Sequence, residues 1–257
     1  MFSNRLDGVS GSRIRLSVNV NKVATVRNSR GGRTPSVLEA VRVCVSSGSP
    51  GITVHPRADA RHITMDDVHE IAAELRRHPQ VEFNIEGDPR PDLLAIVREV
   101  RPHQCTLVPV RPGEITSQAG WPADTPVEGM REVVGDLQAR GVRVSMFVDP
   151  EPDPLRWAAS LGARRVELYT EPFARAFESG GESAANSFRR YVDAAALAHG
   201  LGLQINAGHD LDLRNLTVFR TLPHLDEVSI GHALVSRALF VGLERAVKEY
   251  LAVLDPS

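Results

Sequence analysis

Short apolar runs rich in β-branched residues recur along the whole chain, and each has the length of a buried parallel strand. Polar segments with a different spacing separate them. The runs cover residues 14–20, 51–55, 81–85, 104–108, 142–148, 165–169, 203–206 and 227–231.

Between the runs lie amphipathic stretches with helical spacing. Thr34-Pro35 opens the first, with an N-cap residue and a proline at the first helical position. Thr64 opens the second, and Asp67 three residues later predicts an imperfect capping box. The remaining helices are predicted over residues 91–100, 126–140, 154–161, 183–199, 213–222 and 235–254.

Eight strands alternating with eight helices predict an α/β fold with a parallel sheet that closes into a (β/α)8 TIM barrel. We expect a single domain over residues 1–257, with residues 1–13 as a flexible N-terminal extension. A doubly wound open sheet is the rival, but Gly31-Gly32 does not form the GxGxxG motif of such folds. Residues 109–125 and 170–182 form long connections, which are typical of lids or interface elements.

Composition narrows the class of protein further. The chain has 30 basic and 32 acidic residues and a net charge of -2, which predicts neither a nucleic-acid nor a membrane surface. Two cysteines, Cys44 and Cys105, fit a reducing compartment. Residues 1–13 lack the apolar segment of a signal peptide, and no apolar run approaches the ~20 residues of a membrane span. We therefore expect a cytoplasmic protein.

Polar side chains follow almost every predicted strand, and in a barrel the carboxyl ends of the strands meet at one face. A single histidine or glutamate at a strand end is more often solvated or structural, but so many on one face indicate a site. They are Asn19, Asn21 and Lys22, then His55 and Arg57, Glu86, Thr116, Glu167, His209, and finally His232.

The segment from His55 to His62 carries two imidazoles and two guanidiniums, a group suited to an anionic substrate. A zinc site of the His-x-His type is disfavoured because Arg57 stands two residues after His55. Residues 206–209 and 231–233 are glycine-containing turns that feed helices, and the amides there could cradle a phosphate. Arg27, Arg30 and Arg33 add a basic loop after strand one, or simply a solvated run of charge.

Several long motifs, in this order, resemble the pyridoxine 5'-phosphate synthase family from about Leu16 to Leu251. They are SVNVNKVATVRNSRG, GITVHPRADARHIT, FNIEG, CTLVPVRPGEITSQAGW, VSMFVD, VELYT, INAGHDL and VSIGHALVSRAL. The resemblance implies a barrel with extra helices, a homo-oligomer that is typically an octamer, and no metal or organic cofactor. It implies condensation of 3-amino-2-oxopropyl phosphate with 1-deoxy-D-xylulose 5-phosphate, giving pyridoxine 5'-phosphate, phosphate and water.

The resemblance also implies roles for single residues. His55 and Glu86 match proton acceptors, His209 matches a proton donor, and Glu167 matches a carboxylate that stabilises a transition state. The loop over residues 109–121 matches a closing lid. Asn19, Gly231 and His232 match positions that bind the aminoketone phosphate. Arg57, His62 and Thr116 match positions that bind the deoxyxylulose phosphate. Arg30 matches a further substrate-binding arginine, which could act across a subunit interface.

The chain departs from the usual family pattern beside these residues. Asn21-Lys22 replace Asp-His, and Lys22 could contact a phosphate. Asp210 replaces a glycine and would repel a phosphate unless its carboxylate points away. Two other functions stay open on the residues alone. One is a Schiff-base aldolase that uses Lys22, and the other is a non-catalytic relative that binds a phosphorylated metabolite.

Overall fold

Eight parallel strands close into a barrel in chain order in the computed structural model, which describes residues 13–110 and 117–255. β1 pairs with both β2 and β8, so the sheet has no edge. The predicted barrel is therefore confirmed, and the rival open sheet is excluded. The strands are β1 (Arg15–Asn19), β2 (Gly51–Val54), β3 (Glu82–Gly87), β4 (Gln104–Leu107), β5 (Arg143–Val148), β6 (Arg165–Tyr169), β7 (Gln204–Gly208) and β8 (Leu225–Ile230).

Helices separate the strands on the outside of the barrel. Those of the described residues are α1 (Asn21–Asn28), α2 (Val37–Ser46), α3 (Met65–Leu75), α4 (Pro91–Val100), α5 (Val127–Ala139), α6 (Pro152–Ser160), α7 (Glu171–Ser179), α8 (Gly181–Gly200), α9 (Leu216–Phe219), α10 (His232–Val241) and α11 (Leu243–Leu254). The capping box predicted at Thr64 is confirmed, because Thr64 and Asp67 exchange both hydrogen bonds at the start of α3.

Two helices replace predicted loops. The basic segment after strand one is partly α1, and within it Arg27 donates to Asp67 Oδ2 at 2.8 Å instead of facing solvent. The predicted connection over residues 170–182 contains α7, whose start carries proline in its first turn. α1 is short and polar, so its apolar periodicity is weak. α7 is amphipathic, with Phe173 and Phe177 packed on the core, and the sequence interpretation missed it. Of the flexible extension predicted over residues 1–13, only Arg13 lies in the described part of the chain.

Several helix bounds also differ from prediction, and α9 is shorter than the helix expected over residues 213–222. The single helix expected over residues 235–254 is broken at Gly242, whose φ of 86° lies in the left-handed region and separates α10 from α11. The cap of α2 is Ser36 instead of Thr34, because the Ser36 side chain accepts a hydrogen bond from the Glu39 amide. A cap is set by one local hydrogen bond, so a shift of two residues is a typical error.

The strands alternate polar and apolar residues, and the polar ones point into the barrel. Arg165 on β6 donates to Gln104 on β4 at 3.3 Å, and Thr106 on β4 donates to Glu167 on β6 at 3.5 Å. β4 and β6 are not neighbours, so these contacts must cross the interior. Barrel interiors are more often filled by branched apolar side chains. The apolar runs of the sequence therefore have only one apolar face, which is the one that packs on the helices.

An ionic layer lies at the amino ends of the strands. Glu227 Oε2 accepts from Arg15 at 2.7 Å and lies 4.0 Å from Arg165, while Glu82 pairs with both Arg15 and Arg143. Burial lowers the pKa of Arg165 to about 10 despite Glu227 and Glu82 nearby. A buried guanidinium in this position depends on its carboxylate partners for stability.

The outward faces of the strands form the apolar core between sheet and helices. Leu16, Ile52, Phe83 and Leu168 are fully buried there together with apolar side chains of the helices. Burying such a side chain stabilises a fold by about 1.5–3 kcal/mol. The core thus holds the helices on the barrel, while the interior is left to polar groups.

We expect Glu227→Gln to destabilise the protein by about 3–5 kcal/mol, because it leaves the Arg165 guanidinium buried without its charged partner. Urea unfolding followed by circular dichroism measures the free energy of unfolding. Glu244→Gln is the control, since Glu244 pairs with Lys248 on the exposed face of α11 and such pairs contribute about 0–1 kcal/mol. Equal losses in the two variants would contradict a stabilising ionic layer.

Candidate active site

A cavity of about 460 Å³ opens at the carboxyl ends of the strands, where the sequence predicts the site. Among the predicted residues, Arg30 is exposed outside this cavity, and Thr116 lies outside the described residues. The predicted residues in its wall are Asn19, Asn21, Lys22, His55, Arg57, His62, Glu86, Glu167, His209, Asp210, Gly231 and His232. Arg61, the second guanidinium of the segment from His55 to His62, also lines the cavity, and the sequence interpretation missed three further polar lining residues, Thr25, Ser117 and Ser229. Of these, Ser229 shares the inward face of β8 with Glu227.

The loop after β1 holds the end of β2 in place. Asn21 Oδ1 accepts from the His55 backbone amide at 2.9 Å, and the Asn21 amide donates to Asn19 Oδ1 at 3.0 Å. Asn19 Nδ2 lies 3.4 Å from Glu86 Oε2, at the end of β3. Asn19 and Asn21 therefore link three strand ends, and the side-chain oxygen of Asn21 serves the backbone at His55.

His55 lies deep in the cavity beside Glu86. Its Nδ1 is 3.9 Å from Glu86 Oε2, and its ring centroid is 6.0 Å from that of His62. Within the described part of the chain, His55 Nε2 and His62 Nδ1 are buried without a hydrogen-bond partner. Buried polar atoms are almost always paired in proteins, so these two nitrogens are available to hydrogen-bond to a molecule in the cavity.

Both imidazoles are neutral at neutral pH. Burial, followed by His62 and the Arg57 and Arg90 guanidiniums, lowers the pKa of His55 to about 3. Burial and the cations Arg57 and Lys22 lower the pKa of His62 to about 4. A neutral imidazole has a lone pair, so each ring can accept a proton or a hydrogen bond from a bound molecule.

The two carboxyl groups of the cavity have the opposite tendency. Burial, and then the charges of Glu167 and Glu227, raise the pKa of Glu86 well above its usual value. Burial and Glu227 raise the pKa of Glu167 to about 8, although a hydrogen bond from Thr106 opposes the shift. In the protein alone Glu167 therefore holds its proton at pH 7, and burial favours the protonated form of Glu86 in the same way. A cationic group beside Glu86 would favour its ionised form.

His209 lies on the opposite wall, after β7. Its Nδ1 is 2.7 Å from Asp210 Oδ2, and its ring makes a T-shaped contact with Tyr169, with centroids 5.1 Å apart. A Cβ at Gly208, just before it, would lie 2.3 Å from Glu167 Oε1, so a side chain there would displace the Glu167 carboxyl group. The missing side chain lets β7 pass close to the Glu167 carboxyl group.

Anion-binding groups lie at two places in the wall. The start of α10 reaches the cavity through Gly231, His232 and Ala233, and amides at a helix start favour anions. A Cβ at Gly231 would come within 3.1 Å of Asn19, so this turn packs closely on β1. Arg57 and His62 supply a second polar group in the loop after β2. No cluster of His, Cys, Asp or Glu that could hold a metal occurs in residues 13–110 and 117–255.

The predicted lid lies partly outside the described residues. Its last residues pack on the barrel, where the Trp121 amide donates to Phe147 O and its indole donates to Leu107 O, each at 2.9 Å. Gly120 is required, because a Cβ would lie 2.4 Å from Val148 Cα. This end of the loop therefore bridges β4 and β5, and places Ser117 in the cavity wall.

Solved structures of other proteins share the fold. The tryptophan synthase A-subunit of Pyrococcus furiosus superposes with a TM-score of 0.61 at 14% identity, over 93% of this chain and 98% of that chain. A protein from Aquifex aeolicus VF5 gives a TM-score of 0.65 at 13% identity, over 94% and 93% of the two chains. At these identities the likeness concerns the barrel and says nothing about chemistry.

Comparisons of sequence are far closer. Residues 16–256 match the family model described as pyridoxal phosphate biosynthesis protein PdxJ. The pyridoxine 5'-phosphate synthase of Bacteroides thetaiotaomicron is 50% identical over 237 residues, covering 92% of this chain and 97% of that protein. The pyridoxine 5'-phosphate synthase of Christiangramia forsetii is 48% identical over 241 residues, which cover 93% of this chain and 99% of that protein. The resemblance drawn from the sequence motifs is thereby confirmed, and the chain belongs to the pyridoxine 5'-phosphate synthase family.

Proposed function

We propose that the cavity catalyses the condensation of 3-amino-2-oxopropyl phosphate with 1-deoxy-D-xylulose 5-phosphate to pyridoxine 5'-phosphate, phosphate and water. One observation carries the proposal: a neutral imidazole, His55, lies beside the Glu86 carboxyl group, whose pKa is raised by burial, in a cavity lined by the start of α10 and by Arg57. Membership of the family and the name of its relatives support the same reaction.

The arrangement suits a reaction with many proton transfers. Ring closure passes through an imine and successive dehydrations, and each step removes a proton from one atom and protonates a leaving oxygen. His55 Nε2 accepts a proton, because its lone pair is held unprotonated. Glu167 and Glu86 donate, because their raised pKa values keep the proton on the carboxyl group. Once a proton is given, a carboxylate can take one back, so Glu86 serves as an acceptor in a later step.

Two phosphate-binding places hold the substrates in reactive geometry. We assign the aminoketone phosphate to Asn19 and the start of α10 at Gly231 and His232, and the deoxyxylulose phosphate to Arg57, His62 and Thr116. Fixing both substrates in one pocket lowers the entropic barrier to their reaction. Lys22 lies in the same wall and acts electrostatically on His62 and Asp210, which supports a role in phosphate binding over a Schiff base.

We also propose that the protein forms a homo-oligomer and lies in the cytoplasm. Leu239 and Phe240 on α10 are 74% and 86% exposed, which supports a homo-oligomer, with an octamer as the family's state. Arg30 is exposed outside the cavity, as expected if it serves a neighbouring subunit. No helix among the described residues is long and apolar enough to cross a membrane. We propose a cytoplasmic enzyme.

His55→Gln and Glu86→Gln are each expected to lower kcat by about 10²–10⁴-fold, because each removes one proton-transfer group. The measurement is formation of the pyridoxine ring from both phosphorylated substrates, followed by its absorbance. His69→Gln is the matched control, since His69 is exposed on α3 and pairs only loosely with Glu99, with 3.8 Å between them. Lack of product with the unaltered protein, or full activity in both variants, would refute the assignment.

Glu167→Gln tests the raised pKa of that carboxyl group. In the folded protein its pKa is about 8, above the roughly 4.3 of an unfolded glutamate, so folding retains a proton between these values. The contribution of the protonated Glu167 to the free energy of unfolding is therefore complete below about pH 4 and is lost as the pH rises towards 8. Glutamine mimics the protonated form.

We expect the variant to gain stability over the unaltered protein on going from pH 5 to pH 8, by an amount on the order of a few kcal/mol. Urea unfolding at both pH values measures it. Glu86 titrates in the same direction, so the slope with pH should become smaller without vanishing. An unchanged slope would mean that Glu167 is ionised in the folded protein at neutral pH.

A further inference from the structure

The two residues after β7 have an unusual backbone. His209 and Asp210 have φ angles of 86° and 61°, in the left-handed region that glycine favours. The turn is anchored on both sides, since Thr170 Oγ1 donates to the Gly208 carbonyl at 2.7 Å and Asn215 Nδ2 donates to the Asp210 carbonyl at 3.1 Å. Strained backbone of this kind persists where surrounding contacts impose it, and it is concentrated at functional sites.

The turn directs the Asp210 carboxylate at the His209 ring. Oδ2 lies 2.7 Å from Nδ1, a distance typical of a charge-assisted hydrogen bond. This hydrogen bond is the largest cause that lowers the pKa of Asp210, so the carboxylate is ionised at neutral pH. An ionised carboxylate can only accept, and the proton must therefore lie on His209 Nδ1.

The charges around the pair favour this arrangement. Lys22 from α1 and His232 from α10 act on the Asp210 carboxylate and support its ionised form. Tyr169 from β6 makes a T-shaped contact with the His209 ring, and Glu171 and Asp149 face that phenol from α7 and the end of β5. The carboxylate of Asp210, which departs from the glycine of the family pattern, is thus turned towards the imidazole.

We propose that Asp210 is a positioning residue that holds His209 in the Nδ1–H tautomer, with Nε2 as the nitrogen that exchanges protons with the substrate. The idea rests on the proposed function, in which His209 donates a proton. A carboxylate on Nδ1 fixes the ring orientation and stabilises the imidazolium that forms when Nε2 is protonated. Glycine, the usual residue of the family here, cannot do this.

Two substitutions separate the carboxylate from the turn. Asp210→Gly removes the side chain but suits the positive φ, and Asp210→Asn keeps the shape and removes the charge. We expect kcat for pyridoxine 5'-phosphate formation to fall about 10–100-fold in both, as for other residues that orient a catalytic histidine, with both KM values nearly unchanged. Asp212→Asn is the control, since Asp212 lies in the same loop and its oxygen only accepts from the amides of Arg214 and Asn215.

A second readout does not depend on activity. In the protein labelled with ¹⁵N-histidine, the ring nitrogen shifts report the tautomer, and the His209 signals are assigned by their loss in His209→Gln. We expect His209 to be the Nδ1–H tautomer in the unaltered protein and to move towards the Nε2–H form in Asp210→Gly. Asp212→Asn should leave the signals in place.

The outcomes are distinct. A rise in KM with unchanged kcat would assign Asp210 to substrate binding and overturn the proposal, as would a His209 tautomer that is the same in Asp210→Gly. If the unaltered protein forms no pyridoxine 5'-phosphate, the proposed function fails. The tautomer result would then still show whether Asp210 holds the His209 ring.

Discussion

The polar interior of the barrel is the constraint on which the rest of the structure depends. Each strand must present apolar groups to the helices and polar groups to the interior, and every polar group there needs a partner. Glu227, between Arg15 and Arg165, meets this need at one end of the barrel. At the other end some partners are missing, since His55 Nε2 and His62 Nδ1 have none among the described residues. The site is therefore where the polar interior is left incomplete.

The amino and carboxyl ends of the barrel also interact electrostatically. Glu227 belongs to the ionic layer, yet its charge is among the causes that raise the pKa of both Glu86 and Glu167. In the middle of the barrel Asn84 donates to Thr53, and Thr106 donates to Asn84 and also reaches Glu167. Stability and acid–base chemistry thus share one network, and a change at the base of the barrel alters proton affinities in the cavity.

Much of this could be predicted from the sequence. The strands and the clustering of His55, Glu86 and His209 follow from alternation and from the rule that carboxyl ends of barrel strands share a face. Helix α1 could not be predicted by periodicity, because it is held by a tertiary contact between Arg27 and Asp67. The amphipathic pattern of α7 was present in the sequence and was missed. The polar interior was also missed, because each short run contains enough apolar residues to look uniformly buried. The direction of the Asp210 side chain depends on two backbone angles that no sequence pattern encodes.

The left-handed backbone at Asp210 has a consequence for how such a site changes over generations. A φ of 61° admits glycine and, at modest cost, aspartate or asparagine, whereas branched side chains are strongly disfavoured. Codons for glycine and aspartate can differ by one base. A carboxylate next to His209 can thus be acquired or lost in a single mutational step, without rebuilding the turn that carries the histidine.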